Sequence, residues 1–220
     1  IRHMKFNAIS ILAGIIILTT FSCGRYDYID GNHDVVVKTR AIGTYDAILN
    51  EGSFDVEYIR DDTYSLEIEG ESNLLEYIVT EVSNGELTIR TMRHISLHEH
   101  SSIVVYCYGP DINSIQTDGS GNVYFDTLVS NHVKLITNGS GDMVGKVAAN
   151  SMEATIRGSG DMVIRGEAKD TELRIEGSGE IDAYDCEQED CDARILGSGD
   201  NYTYVTDHLE ARIDGSGSIY

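Results

Sequence analysis

Apolar residues in the second half of the chain fall on alternate positions, and Gly-Ser-Gly interrupts the alternation at a nearly constant interval. The copies begin at Gly119, Gly139, Gly158, Gly177, Gly197 and Gly215, with spacings of 20, 19, 19, 20 and 18 residues. In one repeat the same-parity row reads Leu173, Ile175, Gly177, Gly179, Ile181 and Ala183. In others it reads Ala154, Ile156, Gly158, Gly160, Met162, Ile164 and Ile115, Thr117, Gly119, Gly121, Val123, Phe125. Residues of one parity share a strand face, so each repeat carries one inward row. The glycines sit midway along it, where the chain must bend and a Cβ would not fit. Each repeat is then strand, glycine corner, strand and polar turn, the turns lying near 167–170 and 187–190. One such coil cannot bury its own row. Parallel stacking does, each buried aliphatic contributing about 1.5–3 kcal/mol. The pattern predicts an all-β parallel β-helix, a β-solenoid with about 19–20 residues per coil. In the fifth repeat Asn201 and Thr203 fall inward and Tyr202 and Tyr204 outward, unless a bulge reverses the register.

The first half is less regular. Alternation through Ile48, Phe54, Val56 and Tyr58 crosses Glu51-Gly52-Ser53, a degenerate copy of the later corner. Leu66 and Ile68 mark another strand, and residues 73–77 a single helical turn capped by Ser72 or Asn73. Asn84-Gly85 between apolar runs predicts a hairpin on a type I′ turn. A strand at 103–108 ends at Gly109-Pro110. This divides the body, 41–220, into irregular coils (41–110) and regular repeats (111–220). Residues 23–40 read as a tether, with Asp27, Asp30 and Asp34 ahead of Val35-Val36-Val37, where it leads into a first strand.

The N-terminus has the layout of an export signal. Lys5 follows a start-like Met4, residues 8–18 are apolar and uncharged, and Ser22-Cys23 follow. That run is too short for a comfortable membrane span. It resembles a bacterial lipoprotein signal, which implies cleavage before Cys23 and lipidation of that cysteine; Thr20 departs from the usual leucine. Residues 1–22 are thus a signal peptide, with Ile1-Arg2-His3 read as non-native. A cleaved signal followed by a chance cysteine is the alternative.

The formal charge is −21, and losing Arg2 and Lys5 with the leader makes the body more acidic still. Nucleic acid and anionic lipid are repelled by such a surface, so membrane attachment is expected through acyl chains. Cys107 reads as a buried small hydrophobe. Cys186 and Cys191 flank one turn, and a local disulfide between them is weighed against two free thiols.

Outward positions stack into ladders about 4.8 Å apart. One holds Ser120, Ser140, Ser159, Ser178, Ser198 and Ser216; another holds Asn122, Asp142, Asp161, Glu180, Asp200 and Ser218. Asp142, Asp161, Glu180 and Asp200 are a candidate Ca²⁺ ladder, because that ion favours clustered oxygens. The competing reading is turn chemistry, with the carboxylates accepting local N–H groups. Arg174, Arg194 and Arg212 also stack, as a salt-bridge face or a contact for carboxylated glycan. Tyr124, Tyr184, Tyr202 and Tyr204 are candidate stacking faces for sugars. His94, His98 and His100 with Glu99 form a histidine cluster on a loop, without a zinc-motif spacing. No nucleophile elbow, His-Glu-x-x-His or nucleotide loop is present.

The repeated Gly-Ser-Gly-Asp, preceded by residues 73–78 (Asn-Leu-Leu-Glu-Tyr-Ile) and 84–90 (Asn-Gly-Glu-Leu-Thr-Ile-Arg), resembles the head GIN domain family of Bacteroidetes, DUF2807. The resemblance covers about residues 42–220. It implies a right-handed parallel β-helix on a surface or periplasmic lipoprotein of the outer membrane, an adhesin role, and no catalytic residues or cofactor. The chain stops at Tyr220 within the second strand of a coil, so the last coil is expected to lack its cap. The expectation is a non-enzymatic envelope adhesin binding glycan or surface protein. A polysaccharide lyase on the same fold and a purely structural envelope component are the alternatives.

Overall fold

A computed structural model of the chain describes residues 27–220. The expected leader and Cys23 lie outside the described residues. In chain order the strands are β1 (Asp27–Asp30), β2 (Val35–Arg40), β3 (Ala47–Glu51), β4 (Asp55–Arg60) and β5 (Ser65–Glu71). After a 3₁₀ turn (Leu75–Tyr77) come β6 (Ile78–Ser83), β7 (Glu86–Thr91), β8 (Ile95–His98), β9 (Val104–Gly109) and β10 (Ser114–Gly119). The repeats form β11 (Val123–Gly139), β12 (Met143–Gly158), β13 (Met162–Gly177), β14 (Glu180–Gly197), β15 (Asp200–Gly215) and the short β16 (Ser218–Ile219).

The fold is a parallel β-solenoid. Each long strand bends through the polar turn and lines both walls of a coil. On one wall the end of β11 pairs with β10, which pairs with β3 and through it β7. On the other the start of β11 pairs with β4, which pairs with β9. The columns follow parity: Ile48, Ile115, Leu135, Ala154, Leu173 and Ala193 lie in register and buried. Side chains fill the interior, so the solenoid is a packed core.

The corner glycines are demanded from the neighbouring coil rather than from the interior. A Cβ on Gly158 would meet the Gly139 carbonyl oxygen at 2.1 Å, and one on Gly177 would meet that of Gly158 at the same distance. Their φ values of 141° and 147° also disfavour any side chain. Gly52 stacks under Gly119 in the same way, so the degenerate copy is the first corner of the stack.

Antiparallel strands close the N-terminal edge, which would otherwise offer unpaired backbone groups. β6 pairs antiparallel with β7, and β5 is flanked antiparallel by β2 and β9. The β6–β7 turn has φ of 52° at Asn84 and 85° at Gly85, as a type I′ turn requires. In the described part of the tether, β2 is the strand expected at Val35-Val36-Val37 and joins the main sheet, and β1 pairs in parallel with β8 as a separate two-stranded sheet. One expectation is corrected. The helical turn is entered at Leu74 with no side-chain cap. Asn73 instead accepts from the Asn32 N–H and donates to the Asp30 carbonyl, because that neighbouring turn has unpaired groups to satisfy.

In the fifth repeat parity holds, with Asn201 opposite Ile181 and Thr203 opposite Ala183. The bulge falls later, between Ala183 and Glu187, and Tyr204 stays outside. Asn201 is fully buried, and neither polar atom of its amide finds a partner among the described residues.

Candidate functional site

The acidic ladder is wired along the stack. The Asp142 N–H donates to Asn122 Oδ1 at 3.0 Å, the Asp161 N–H to Asp142 Oδ1 at 2.9 Å, and the Glu180 N–H to Asp161 Oδ1 at 2.9 Å. Two coils on, the Ser218 N–H donates to Asp200 Oδ1 at 2.8 Å. Each short side chain therefore satisfies the backbone donor of the next coil's corner, which is turn chemistry propagated between coils. Asp142, Asp161, Glu180 and Asp200 do not supply one of the groupings of three close metal-ligating atoms found among the described residues. Burial, helped by Asp161, Asp182 and Asp200, raises the Glu180 carboxyl above its ordinary value.

The arginine column is already paired. Arg174 Nε donates to Glu176 at 2.6 Å, Arg194 Nε to Asp192 at 3.0 Å and Arg212 Nε to Asp214 at 3.0 Å. The three line a shallow groove of about 190 Å³ beside Leu196. Guanidiniums stay protonated and act as no general base.

Tyr184 and Tyr204 stand side by side on adjacent coils, ring centroids 6.3 Å apart, with 63% and 46% of their surfaces exposed. They flank an open depression of about 370 Å³ with Gly166, Asp185 and Glu187. Tyr202 instead stacks on Tyr220 at 4.8 Å, and Tyr124 is exposed on an earlier coil.

Cys186 and Cys191 are free and buried on the inward side, and Cys107 is free and buried too. No disulfide joins the pair. Burial pushes the Cys186 thiol up to about 11 and raises the other two thiols as well, so none is a ready nucleophile.

The histidine cluster is larger than the loop alone and differently composed. His98 and His100 meet Asp30, His33 and Glu71, whereas His94 and Glu99 fall outside these groupings. Asp30 and His98 are register partners of β1 and β8, with His98 Nδ1 and Asp30 Oδ1 2.7 Å apart. His100 Nε2 lies 3.3 Å from the same oxygen, and the His33 and His100 rings stack at 4.1 Å. The His98 hydrogen bond holds the Asp30 carboxyl below its usual range. Buried Glu71 accepts the His100 N–H at 2.7 Å and the His33 N–H at 2.6 Å, and these bonds hold its carboxyl low as well. Sequence reasoning missed Asp30, His33 and Glu71, which are 27 or more residues from His98 in the chain.

Fold and surface together define a β-solenoid that displays in-register rows of polar and aromatic side chains. The chain belongs to the family described as "Putative auto-transporter adhesin, head GIN domain", whose profile matches residues 44–220. Its structure is similar to that of a "putative adhesin" from Bacteroides fragilis, with TM-score 0.78 and 18% identity over 87% of this chain and 98% of that one. A "putative lipid binding protein" from Parabacteroides distasonis gives TM-score 0.71 and 25% identity over 88% and 98%. A "putative adhesin" from Parabacteroides merdae gives 0.63 and 19% over 88% and 98%. No curated protein matches the chain. None of these three relatives is named as an enzyme. Among the described residues no helix is long and apolar enough to cross a membrane.

Proposed function

We propose that this chain is a non-enzymatic adhesin of the cell envelope, anchored in the outer membrane by lipid on Cys23, that binds a glycan of a surface partner. The observation that carries this reading is the Tyr184–Tyr204 pair. Two exposed aromatic faces, held at fixed separation by the stack, suit the apolar faces of sugar rings. Asp185 and Glu187 beside them suit the hydroxyls as acceptors. The arginine column supports acidic-glycan binding less well, because each guanidinium already has its carboxylate. Lipid binding, named for one relative, has less support: the groove beside exposed Leu196 has only about 190 Å³ and is lined by three arginines and Asp214.

A glycan array probed with the full-length chain tests the proposal. Binding is expected, and Tyr184→Ala with Tyr204→Ala should weaken it about tenfold, as two lost aromatic contacts of about 0.5–1.5 kcal/mol predict. Unchanged binding in the double variant would overturn the assignment of the site. Depolymerisation of an acidic polysaccharide would favour the lyase alternative.

A further inference from the structure

The histidine–carboxylate cluster at the N-terminal end of the stack has the chemistry of a metal site, and we infer that Asp30, His98 and His100 bind a Zn²⁺ ion. Two imidazoles and one carboxylate are a donor set that this ion favours. With metal–ligand bonds of about 2.0–2.2 Å, neighbouring ligand atoms of a tetrahedral zinc lie about 3.3 Å apart. Here the Asp30 oxygen lies 2.7 Å from His98 Nδ1 and 3.3 Å from His100 Nε2. The three ligand atoms all fall within 4.8 Å of one another, so small side-chain rotations suffice. All three side chains are partly open to solvent, which leaves access for a water as the fourth ligand.

The backbone around the site is already fixed. Glu71 grips the amides of His33 and His100 from beneath, and a Cβ on Gly31 would sit 2.2 Å from its carboxylate. Asn32 is tied to Asn73 and Ser72. Outer groups that hold ligands in this way commonly change metal affinity about 10–100-fold when removed. The site also has a mechanical consequence. β1 and β8 form a two-stranded sheet outside the 14-stranded one, and such a pair is marginal alone. Zinc bridging Asp30 to His98 and His100 staples them together and fixes the segment that leads from Cys23 into the solenoid.

Titration of the metal-free, tag-free full-length chain with ZnCl₂, followed by calorimetry, tests this. About one equivalent should bind, raising the melting temperature. His98→Gln and Asp30→Asn, both at exposed side chains, should melt like the parent without metal and bind zinc at least about tenfold more weakly. His132→Gln, a control at an imidazole bonded to Ser151 on the repeats, should bind like the parent. Absence of saturable binding, or binding retained by both cluster variants, would overturn the inference.

Discussion

Glu180 has one methylene more than the aspartates that share its column, and the hydrogen-bonded ladder is interrupted there. Its own N–H is held by Asp161, but no bond from the Asp200 N–H to Glu180 is found among the described residues. Burial and three neighbouring aspartates raise its carboxyl. A raised acid binds its proton more tightly in the folded state, so folding is disfavoured as pH rises above the unfolded value and through the folded one. The penalty is absent below the ordinary carboxylate range, where both states are protonated, and complete at neutral pH. Glu180→Gln should therefore stabilise the protein at pH 7 by up to about 1 kcal/mol, allowing for solvent screening, with the gain fading in acid. Urea denaturation of both proteins across pH checks this; a gain that did not change with pH would refute the electrostatic account. The cysteines show the limit of residue-level reading: Cys186 and Cys191 flank a turn in sequence, yet both point inward and remain free.

The coil is the unit of the fold, and its corner is the tightest point. Gly158→Ala inserts a methyl 2.1 Å from the Gly139 carbonyl oxygen at a φ of 141°, with backbone rather than a movable side chain on the other side. The expected cost is roughly 3 kcal/mol or more. Ser159→Ala, one residue on and at the exposed middle of the same corner, should stay within about 0.5 kcal/mol. Equilibrium denaturation separates the two. A cost below about 1 kcal/mol for Gly158→Ala would mean that the coils can spread apart at the corner. The repeats were legible because parity and glycine spacing are local, and a one-residue slip would turn every apolar side chain outward. Even Asn201 obeyed the row that its parity assigned, although its amide goes unpartnered there. The N-terminal elements were less legible. The Leu74 entry to the 3₁₀ turn, the capture of Asn73 by the 30–32 turn and the β1–β8 pair depend on partners about 40 to 70 residues away in sequence.

For the molecule as a whole, net charge bears on the proposed lipid anchor. The whole chain carries −21 and the body more negative charge still, so anionic lipid repels it and retention on a membrane should depend on acylation of Cys23. Cys23→Ser should move the protein from the detergent-extracted membrane fraction to the soluble one; retention of the variant on membranes would refute the anchor. The sequence by itself determined the solenoid, the inward rows and the glycine corners, because alternation and a fixed period are properties of neighbouring residues. It also marked the surface columns, since residues one period apart must stack. Only the tertiary structure decided what those columns do: the aspartates accept the next coil's N–H groups, the arginines close on their own acids, and Tyr184 and Tyr204 remain open. It alone brought Asp30, His33 and Glu71 to His98 and His100. Burial and pairing between distant strands chose those partners, and no local pattern encodes them.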